Sequence, residues 1–544
     1  MKYVRWFLGA VRPYRWQMAA MLVCHVLLAL LAVSFVYVSK MLVDVAVSIF
    51  NGTAEVSGIT VWACAMVGIF VVRIALNALK GYLQTKTEIS LKNRLRYELF
   101  DSLLRLRSDG GETRHSGDVL SRMLEDVRVV SSSFAVLLPN LAGTMLQFAA
   151  AFVFLLWLDL RLALIVVLIL PFGLFGARFI TGRIRNYTLD IRERDSRVQA
   201  HLQESIQHRT LLQTLEYADT SISALGELQD SLYGSEIRRT RFSIASRAVI
   251  SLAFSAGHAV AFLWGVYGIS AGTVTYGMMT AFLQLVGQIQ RPLMDMSTQI
   301  PGIIHATASI DRLMELEELP RDPVSEPEFM EGTAGVRFSD VSFTYPDGNE
   351  EVLKGLSYDF RPGSRTAIVG HTGVGKSTMI KILLALFTPK EGRVELYCGD
   401  RTMPVSVASR CNFVYVPQGN SLFSGTIREN LLMGDPDADE QRMREALHTA
   451  AADFVFELKD GLDTQCFESG AGLSEGQAQR IAVARALLRP GTILLLDEFS
   501  SALDAETETL MMERLSSSLA GHTMIFITHR EKIIDYCDDV LRLG

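Results

Sequence analysis

Gly370-His371-Thr372-Gly373-Val374-Gly375-Lys376-Ser377-Thr378 decides the fold of half of this chain. It follows the apolar run Thr366 to Val369 and precedes Met379-Ile-Lys-Ile-Leu-Leu384, so it sits where a strand ends and a helix begins. Glycines let backbone amides wrap an anion, and the helix N-terminus adds its partial positive charge. In the pattern GxxxxGK[ST], Lys376 reaches the terminal phosphates and the Ser377 hydroxyl suits magnesium. The stretch implies a nucleoside triphosphate site within an α/β domain.

Further along, Gly491-Thr-Ile-Leu-Leu-Leu-Asp497-Glu498 reads as a buried parallel strand that carries two carboxylates to its C-terminal edge. Asp497 is expected to hold magnesium, and Glu498 to orient or deprotonate an attacking water. Thr523-Met-Ile-Phe-Ile-Thr528 reads as another strand, ending at His529, which could hydrogen-bond the γ-phosphate.

Outward from this domain the composition changes. The chain has 544 residues, and before about Ile310 long apolar stretches dominate. Six of these are longer than the ~20 residues a membrane-crossing helix needs: Met18–Val43, Gly58–Tyr82, Phe134–Leu158, Leu160–Ile180, Ala248–Ile269 and Tyr276–Met296. The first exceeds a signal-peptide core and lacks a small-x-small cleavage site. Lys and Arg crowd the N-terminal stretch and the connections Lys86–Arg128 and Arg183–Arg247; the loop around Asn51-Gly-Thr53 has neither, the link Asp159–Arg161 is minimal, and Ala271–Thr275 is uncharged. The positive-inside rule therefore puts both termini and the nucleotide domain in the cytoplasm.

Those two connections continue as helices into water. Ile89, Leu91, Leu95, Leu99, Leu103 and Leu106 recur at helical spacing, and some twenty-five helical residues project roughly 35 Å. Within the spans stand His25, Arg73, His258, Gln284, Gln288, Arg291 and Asp295. Two readings are open for each: a substrate path lined partly by the sixth helix, or polar glue between helices. Pro139, Pro171 and Pro292 read either as gating kinks or as tolerated bends.

The net charge of −7 argues against a nucleic-acid partner. Six scattered cysteines form no CxxC pair, which excludes a disulfide framework and a zinc site of that kind.

The motifs then accumulate into a family resemblance. Leu473-Ser474-Glu475-Gly476-Gln477, with Ala478 to Ala486 after it, resembles the ABC signature. Val416-Pro-Gln418 resembles the Q-loop, Ser501-Ala502-Leu503-Asp504 the D-loop, and Tyr345 the aromatic that stacks on adenine. The motifs cover nearly all of residues 336–544 in the order of an ATP-binding cassette. The upstream half resembles the membrane domain of an exporter-type half-transporter, with Asp109–Val127 and Gln203–Leu215 similar to its coupling-helix regions.

The resemblance implies an all-α six-helix membrane domain over 1–315, a linker at 316–335, and a cassette over 336–544 with its own antiparallel and helical subdomains. It implies ATP and Mg²⁺, the metal held by Ser377, Gln418 and Asp497, and catalysis by Glu498 and His529. It implies a dimer, homomeric or heteromeric, in which each ATP lies between one subunit's phosphate loop and the signature of the other. The expected place is a bacterial inner membrane and the expected activity ATP-driven export. Import of metal chelates, or a membrane ATPase that senses or gates, are the alternatives; six spans exclude the soluble ABC-type ATPases of chromosome biology. Lipid, drug, peptide and chelate substrates all stay open, and peptide export of the leader-cleaving kind, with its N-terminal peptidase domain, is not expected.

Four departures from the family pattern stand out. Glu475 takes a usual glycine position, which is compatible with one weakened site in a heterodimer. Glu468-Ser-Gly470 has the X-loop acid and Ser469 in place of arginine, and Phe499-Ser500 replaces the more usual Ala-Thr. The chain ends at Gly544, soon after His529, so the final strand and helices of most relatives are not expected, with the last sheet edge left bare or covered otherwise.

Overall fold

The structure, a computed structural model, describes all residues except 1–5, 7–8, 54, 108–115, 346–349, 372, 468–471 and 544. Of 116–117, 166–181, 250, 253, 293–294, 296–298 and 300–301 it describes the backbone alone. The chain forms two compact units: Met1–Leu99 with Leu120–Glu315, and Phe100–Val119 with Leu316–Gly544.

The first unit is helical. Its long helices are α1 (Arg15–Phe50), α2 (Ser57–Leu104, shared with the second unit beyond Leu99), α3 (Leu138–Leu158), α4 (Leu160–Gln207), α5 (Ala218–Ser270) and α6 (Tyr276–Glu317, whose last residues also join the second unit). Five of the six expected spans fall within one of them, and the remaining one, Phe134–Leu158, begins in the π-helical turn just ahead of α3. Among the described residues, four helical stretches are long and apolar enough to cross a membrane: Gly9–Phe50, Ser57–Leu104, Asp118–Leu158 and Ala218–Ser270.

The outward face of α2 exposes Val61, Val67, Val71 and Ile74. A continuous apolar face of this kind is stable against lipid and costly against water. The inner faces meet in a dry core of Val36, Leu155, Leu162, Ala261, Phe282, Leu285 and Ile289, drawn from α1 and α3 to α6. Polar ties fix the helix ends. Asp159 caps α4 by accepting from the amides of Arg161 and Leu162 at 2.9 and 3.0 Å, and it also accepts from the Trp264 indole at 3.0 Å. Asp44 accepts from the Gly277 amide at 2.9 Å, joining α1 to the start of α6. Ahead of α3 the chain makes two π-helical turns, Arg122–Asp126 and Ser133–Leu137. Asp126 there is buried and takes hydrogen bonds from Ser309 (2.8 Å) and the Arg312 Nε (2.7 Å). Leu91, Leu95 and Leu99 of the expected stripe are buried, while Ile89 is exposed.

The second unit is α/β. A five-stranded parallel sheet has the order β11 (Asp539–Arg542), β3 (Arg365–Val369), β10 (Thr523–Ile527), β9 (Ile493–Asp497), β6 (Phe413–Val416). β9 and β10 are buried at every residue, as the uninterrupted apolar runs require of strands covered on both faces. An antiparallel sheet, β2 (Glu351–Phe360), β1 (Gly335–Thr344), β4 (Glu391–Cys398), β5 (Arg401–Pro404), packs beside it. Helices Ile427–Leu432 and Glu440–Thr449 share a core with α8 (Glu475–Leu487), while α7 (Lys376–Leu383) follows the phosphate loop.

One expectation is corrected. A strand does follow His529: Asp539–Arg542 pairs parallel with Thr366–Val369 and forms the edge of the sheet. It is four residues long with alternating exposure, so it lacks the solid apolar run that marks β9 and β10. The loop after α2 also belongs to this unit, where the Arg107 amide donates to Pro320 O (3.0 Å) and the Asp322 amide to Arg105 O (2.8 Å).

Candidate functional site

Parallel strands deliver their C-terminal ends to one edge. Ile368 of β3 and Asp497 of β9 both pair in register with Ile527 of β10, and Val416 of β6 with Leu496. The residues just past those ends therefore arrive side by side: the phosphate loop, Glu498, His529 and Gln418.

The phosphate loop turns on two glycines with positive φ, Gly373 (88°) and Gly375 (104°). A Cβ at Gly375 would meet Leu353 at 2.9 Å, whereas one at Gly373 meets nothing within 4 Å, leaving an open cradle there. Lys376 is buried, and its ammonium folds back to Gly370 O at 2.5 Å and His529 Nε2 at 2.9 Å. Ser377 faces solvent; Thr378 is buried, its hydroxyl 3.0 Å from that of Tyr345. His371 is exposed and Val374 half-buried, and Thr372 lies outside the described residues.

Glu498 is one of the few non-glycine residues with positive φ (44°), a conformation that costs energy unless its surroundings enforce it. Its amide donates to Ile527 O at 3.0 Å, which holds the turn. Its carboxylate accepts from Gln418 Nε2 at 2.6 Å and lies 3.5 Å from His529 Nε2. Asp497 is buried beneath. Burial first, and the Glu498 charge second, push its carboxyl up to about 6, with Lys376 and Tyr415 pulling the other way. Tyr415, half-buried beside it, is pushed up to about 12, mainly by burial.

An anionic group kept in a dry site with incomplete compensation is a fitting ligand for a divalent cation. Asp497, the exposed Ser377 hydroxyl and Gln418 thus form a donor set of hard oxygens that fits magnesium. The open glycine cradle and the Lys376 ammonium fit a triphosphate.

Tyr345 packs its ring edge-on against Phe343 and Phe387, with centroids 5.3 and 5.6 Å away. This cluster sets it beside the base of the phosphate loop.

The signature is built separately. Ser474 caps α8 in a reciprocal box: its hydroxyl oxygen accepts from the Gln477 amide (3.2 Å) and its amide donates to Gln477 Oε1 (2.9 Å). The hydroxyl proton of Ser474 is left to donate elsewhere. Leu473 is half-buried, and Glu475 is exposed at the first helical position. Gly476 has no room for a side chain, since a Cβ would lie 2.8 Å from Ala502 O of the D-loop. Among the described residues, none of the signature is hydrogen-bonded to the phosphate loop. Residues 468–470 lie outside the described set.

The D-loop is held by residues that sequence reasoning missed. Gln479 bonds the Ser501 hydroxyl at 3.0 Å and the Ala502 amide at 3.3 Å. Arg530 donates to Ser501 O (2.8 Å) and Leu503 O (3.2 Å) and pairs with buried Glu508 at 3.1 Å. Ser500 donates to the same Glu508 at 2.6 Å, and Asp504 caps the helix Ala505–Ser518. The signal was present: Glu508 stands on the stripe shared by Met511, Met512 and Leu515, where an apolar residue belongs. Phe499, unexplained from sequence, is buried against Phe526 (5.9 Å) and fills the core behind the strands. Arg485 is half-buried and donates to Ser421 O at 2.9 Å, tying the signature helix to the segment after Gln418.

In the helical unit the polar residues separate. Gln284 donates to Ser39 Oγ (2.9 Å) and Gln288 to Ala32 O (3.3 Å), which is helix-to-helix bonding. His258 bonds its own helix at Phe254 O, and Arg291 is exposed. His25, Arg73 and Asp295 instead line one cavity. Pro139 and Pro292 are buried, and the side chain of Pro171 is outside the described set. Of the two coupling-like regions, Gln203–Leu215 contains a short helix, Arg209–Thr214, between α4 and α5, and much of Asp109–Val127 lies outside the described residues.

Comparison with known families matches "ABC transporter transmembrane region" to residues 18–293 and "ABC transporter" to residues 353–501. The chain is 33% identical to the Aspergillus fumigatus "ABC multidrug transporter mdr2" over 83% of its own length, and spans 58% of that protein. It is 27% identical to the Bacillus subtilis "Putative multidrug export ATP-binding/permease protein YgaD", over 98% of this chain and 93% of that one. Its fold is similar to that of a bacterial Atm1-family ABC exporter solved with ATP bound (TM-score 0.79, 24% identity, 96% and 93% of the two chains).

Proposed function

Because this chain belongs to the ABC transporter family, with its membrane region and ATP-binding cassette on one polypeptide, we propose that it is a subunit of a dimeric exporter driven by ATP hydrolysis. The convergence of Lys376, Gln418, Glu498 and His529 around buried Asp497, at one edge of a parallel sheet, carries this reading.

The triphosphate lies along the phosphate-loop amides with Lys376 on its terminal phosphates. Glu498 takes a proton from water as the oxygen attacks the γ-phosphorus, and the bond to the β-phosphate oxygen breaks to give ADP and phosphate. His529, at the neighbouring strand end, orients the γ-phosphate. Ser377, Gln418 and Asp497 would hold magnesium, which neutralises phosphate charge when bound.

Within one chain the signature makes no hydrogen bond to its own phosphate loop among the described residues, and its Ser474 hydroxyl proton and helix N-terminus are suited to an anion. A second subunit, homomeric or heteromeric, supplies the missing half of each site. The cassette and both termini lie in the cytoplasm of a bacterial inner membrane, on the Lys and Arg distribution. Export is favoured over import by similarity along 98% of this chain to YgaD, named as a multidrug export protein.

The test is reconstitution into liposomes. Glu498→Gln is expected to retain ATP while turnover falls by at least ~100-fold, and Ser474→Cys is expected to cross-link to Gly373→Cys between chains. Undiminished turnover, or cross-links formed within single chains alone, overturns the proposal; accumulation of substrate on the side opposite to export overturns its direction.

A further inference from the structure

The helical unit contains a polar cavity of about 320 Å³ enclosed by α1, α2, α3 and α6. Its lining is periodic. Arg73, Asn77 and Lys80 recur at i, i+4 and i+7 along α2, and Asn140, Thr144 and Gln147 do so along α3. Two helices thus turn polar stripes toward one space, which simple helix-to-helix glue does not require.

The charges in that space do not cancel. Arg73 and Lys80 are permanent cations, and among the described residues neither forms an ion pair; one carboxylate, Asp295, shares the lining. Cations are costly inside a membrane domain unless they face a wet cavity or a ligand. Neutral groups add hydrogen-bonding capacity. His25 is 7% exposed, and its Nε2 has no partner. Gly143 makes room for that imidazole, since a Cβ there would lie 1.9 Å from His25 Nδ1. The Asn140 side-chain oxygen already accepts from Gln84 Nε2 at 2.9 Å, so what Asn140 can offer from the cavity lining is its amide hydrogens.

Depth completes the picture. His25 stands ~15 Å into α1 from Arg15, and Lys80 ~35 Å along α2 from Ser57, about one membrane thickness from that start and midway along the helix. In the orientation proposed above, Lys80 is at the cytoplasmic rim, with Arg73 and His25 deeper. The volume lies at the lower end for ligand pockets and suits a head group.

We propose that this pocket receives the anionic head group, carboxylate or phosphate, of an amphiphilic substrate. The proposal rests on the transporter reading and adds the class of molecule carried. Lys80 and Arg73 meet the charge, and the Asn140 amide and His25 hydrogen-bond the polar atoms behind it.

The experiment is photolabelling of the full-length protein in phosphatidylcholine nanodiscs, without ATP, by a diazirine-bearing dodecanoate. Label is expected on the residues facing the cavity. Dodecyl phosphate is expected to compete at least ~10-fold better than dodecyltrimethylammonium or dodecyl maltoside, and inorganic phosphate not at all at equal concentration. Lys80→Gln and Arg73→Gln are expected to weaken competition by dodecyl phosphate ~10-fold, and Lys80→Arg to keep it. Competition blind to head-group charge, a preference for the cationic amphiphile, or indifference to both Gln variants overturns the proposal. Equal competition by inorganic phosphate shows a free-anion site and overturns the amphiphile. Charge-blind labelling of a protein that hydrolyses ATP defeats this assignment alone; specific labelling of a protein inert toward ATP defeats the transporter reading instead.

Discussion

Lys376 and His529 are joined across the site, with the ammonium nitrogen 2.9 Å from the imidazole Nε2. An ammonium can only donate, so the ring nitrogen accepts and the proton of neutral His529 sits on Nδ1. A γ-phosphate competes for both groups. Its arrival draws Lys376 away and leaves Nε2 of His529 facing phosphate oxygen, where it must carry a proton to bond.

His529→Ala is therefore expected to lower turnover by ~100-fold or more while nucleotide affinity changes by a few fold at most. Steady-state ATPase rates paired with equilibrium nucleotide binding check this. A large loss of affinity would mean that His529 serves binding and not the hydrolytic step.

Asp497 costs the resting domain stability. Its carboxyl is pushed up to about 6 by burial and by Glu498, so the folded state holds a proton that the unfolded state releases near its ordinary value. The penalty is absent below about pH 4, grows as pH rises to about 6, and is complete above it. A rise of this size corresponds to about 3 kcal/mol. Asp497→Asn is expected to raise the thermal midpoint of nucleotide-free protein at pH 7.5 and to lose the added stabilisation by Mg·ATP. Equal midpoints for the two proteins from pH 5 to pH 8 would refute this.

Arg530 holds the D-loop by two carbonyls and satisfies Glu508, whose side chain is 4% exposed. Arg530→Met leaves that buried carboxylate with Ser500 and no opposite charge, which costs on the order of 1–3 kcal/mol, less than in a pair buried at both ends. Glu508→Gln keeps the Ser500 bond and costs less. The expected order is loss of turnover with intact ATP binding in Arg530→Met, and a milder loss in Glu508→Gln. Cross-linking between Ser474→Cys and Gly373→Cys should fall in step with turnover, because Gly476 packs on Ala502.

Gly143 and His25 occupy one space in the helical unit. Gly143→Ala is expected to destabilise the protein in detergent by ~1–3 kcal/mol, as overpacking does, despite alanine's better helix propensity. His25→Ala in the same chain should recover most of the loss. No recovery in the double variant would show that the crowding is relieved elsewhere.

Much of the nucleotide site was legible because its parts are local. Strand, turn and helix at 366–384 are consecutive, and so are β9 and its two acids. The supporting layer was less legible. Arg530 was next to a predicted residue and was passed over, since an arginine in a loop has no reading until its carbonyl partners are known. Glu508 was visible as an acid on an apolar stripe. The edge strand Asp539–Arg542 escaped because four residues with alternating exposure give too weak a pattern.

Sequence alone determined the two classes of structure: a phosphate loop dictates its strand and helix, and apolar length dictates a membrane helix, since both are written in neighbouring residues. Only the tertiary structure decided which distant polar groups meet. It set Gln284 and Gln288 to bonding helices, brought His25, Arg73 and Asp295 around one cavity, and laid Lys376 on His529. Helical periodicity tells which residues share a face, and packing alone tells what that face looks at.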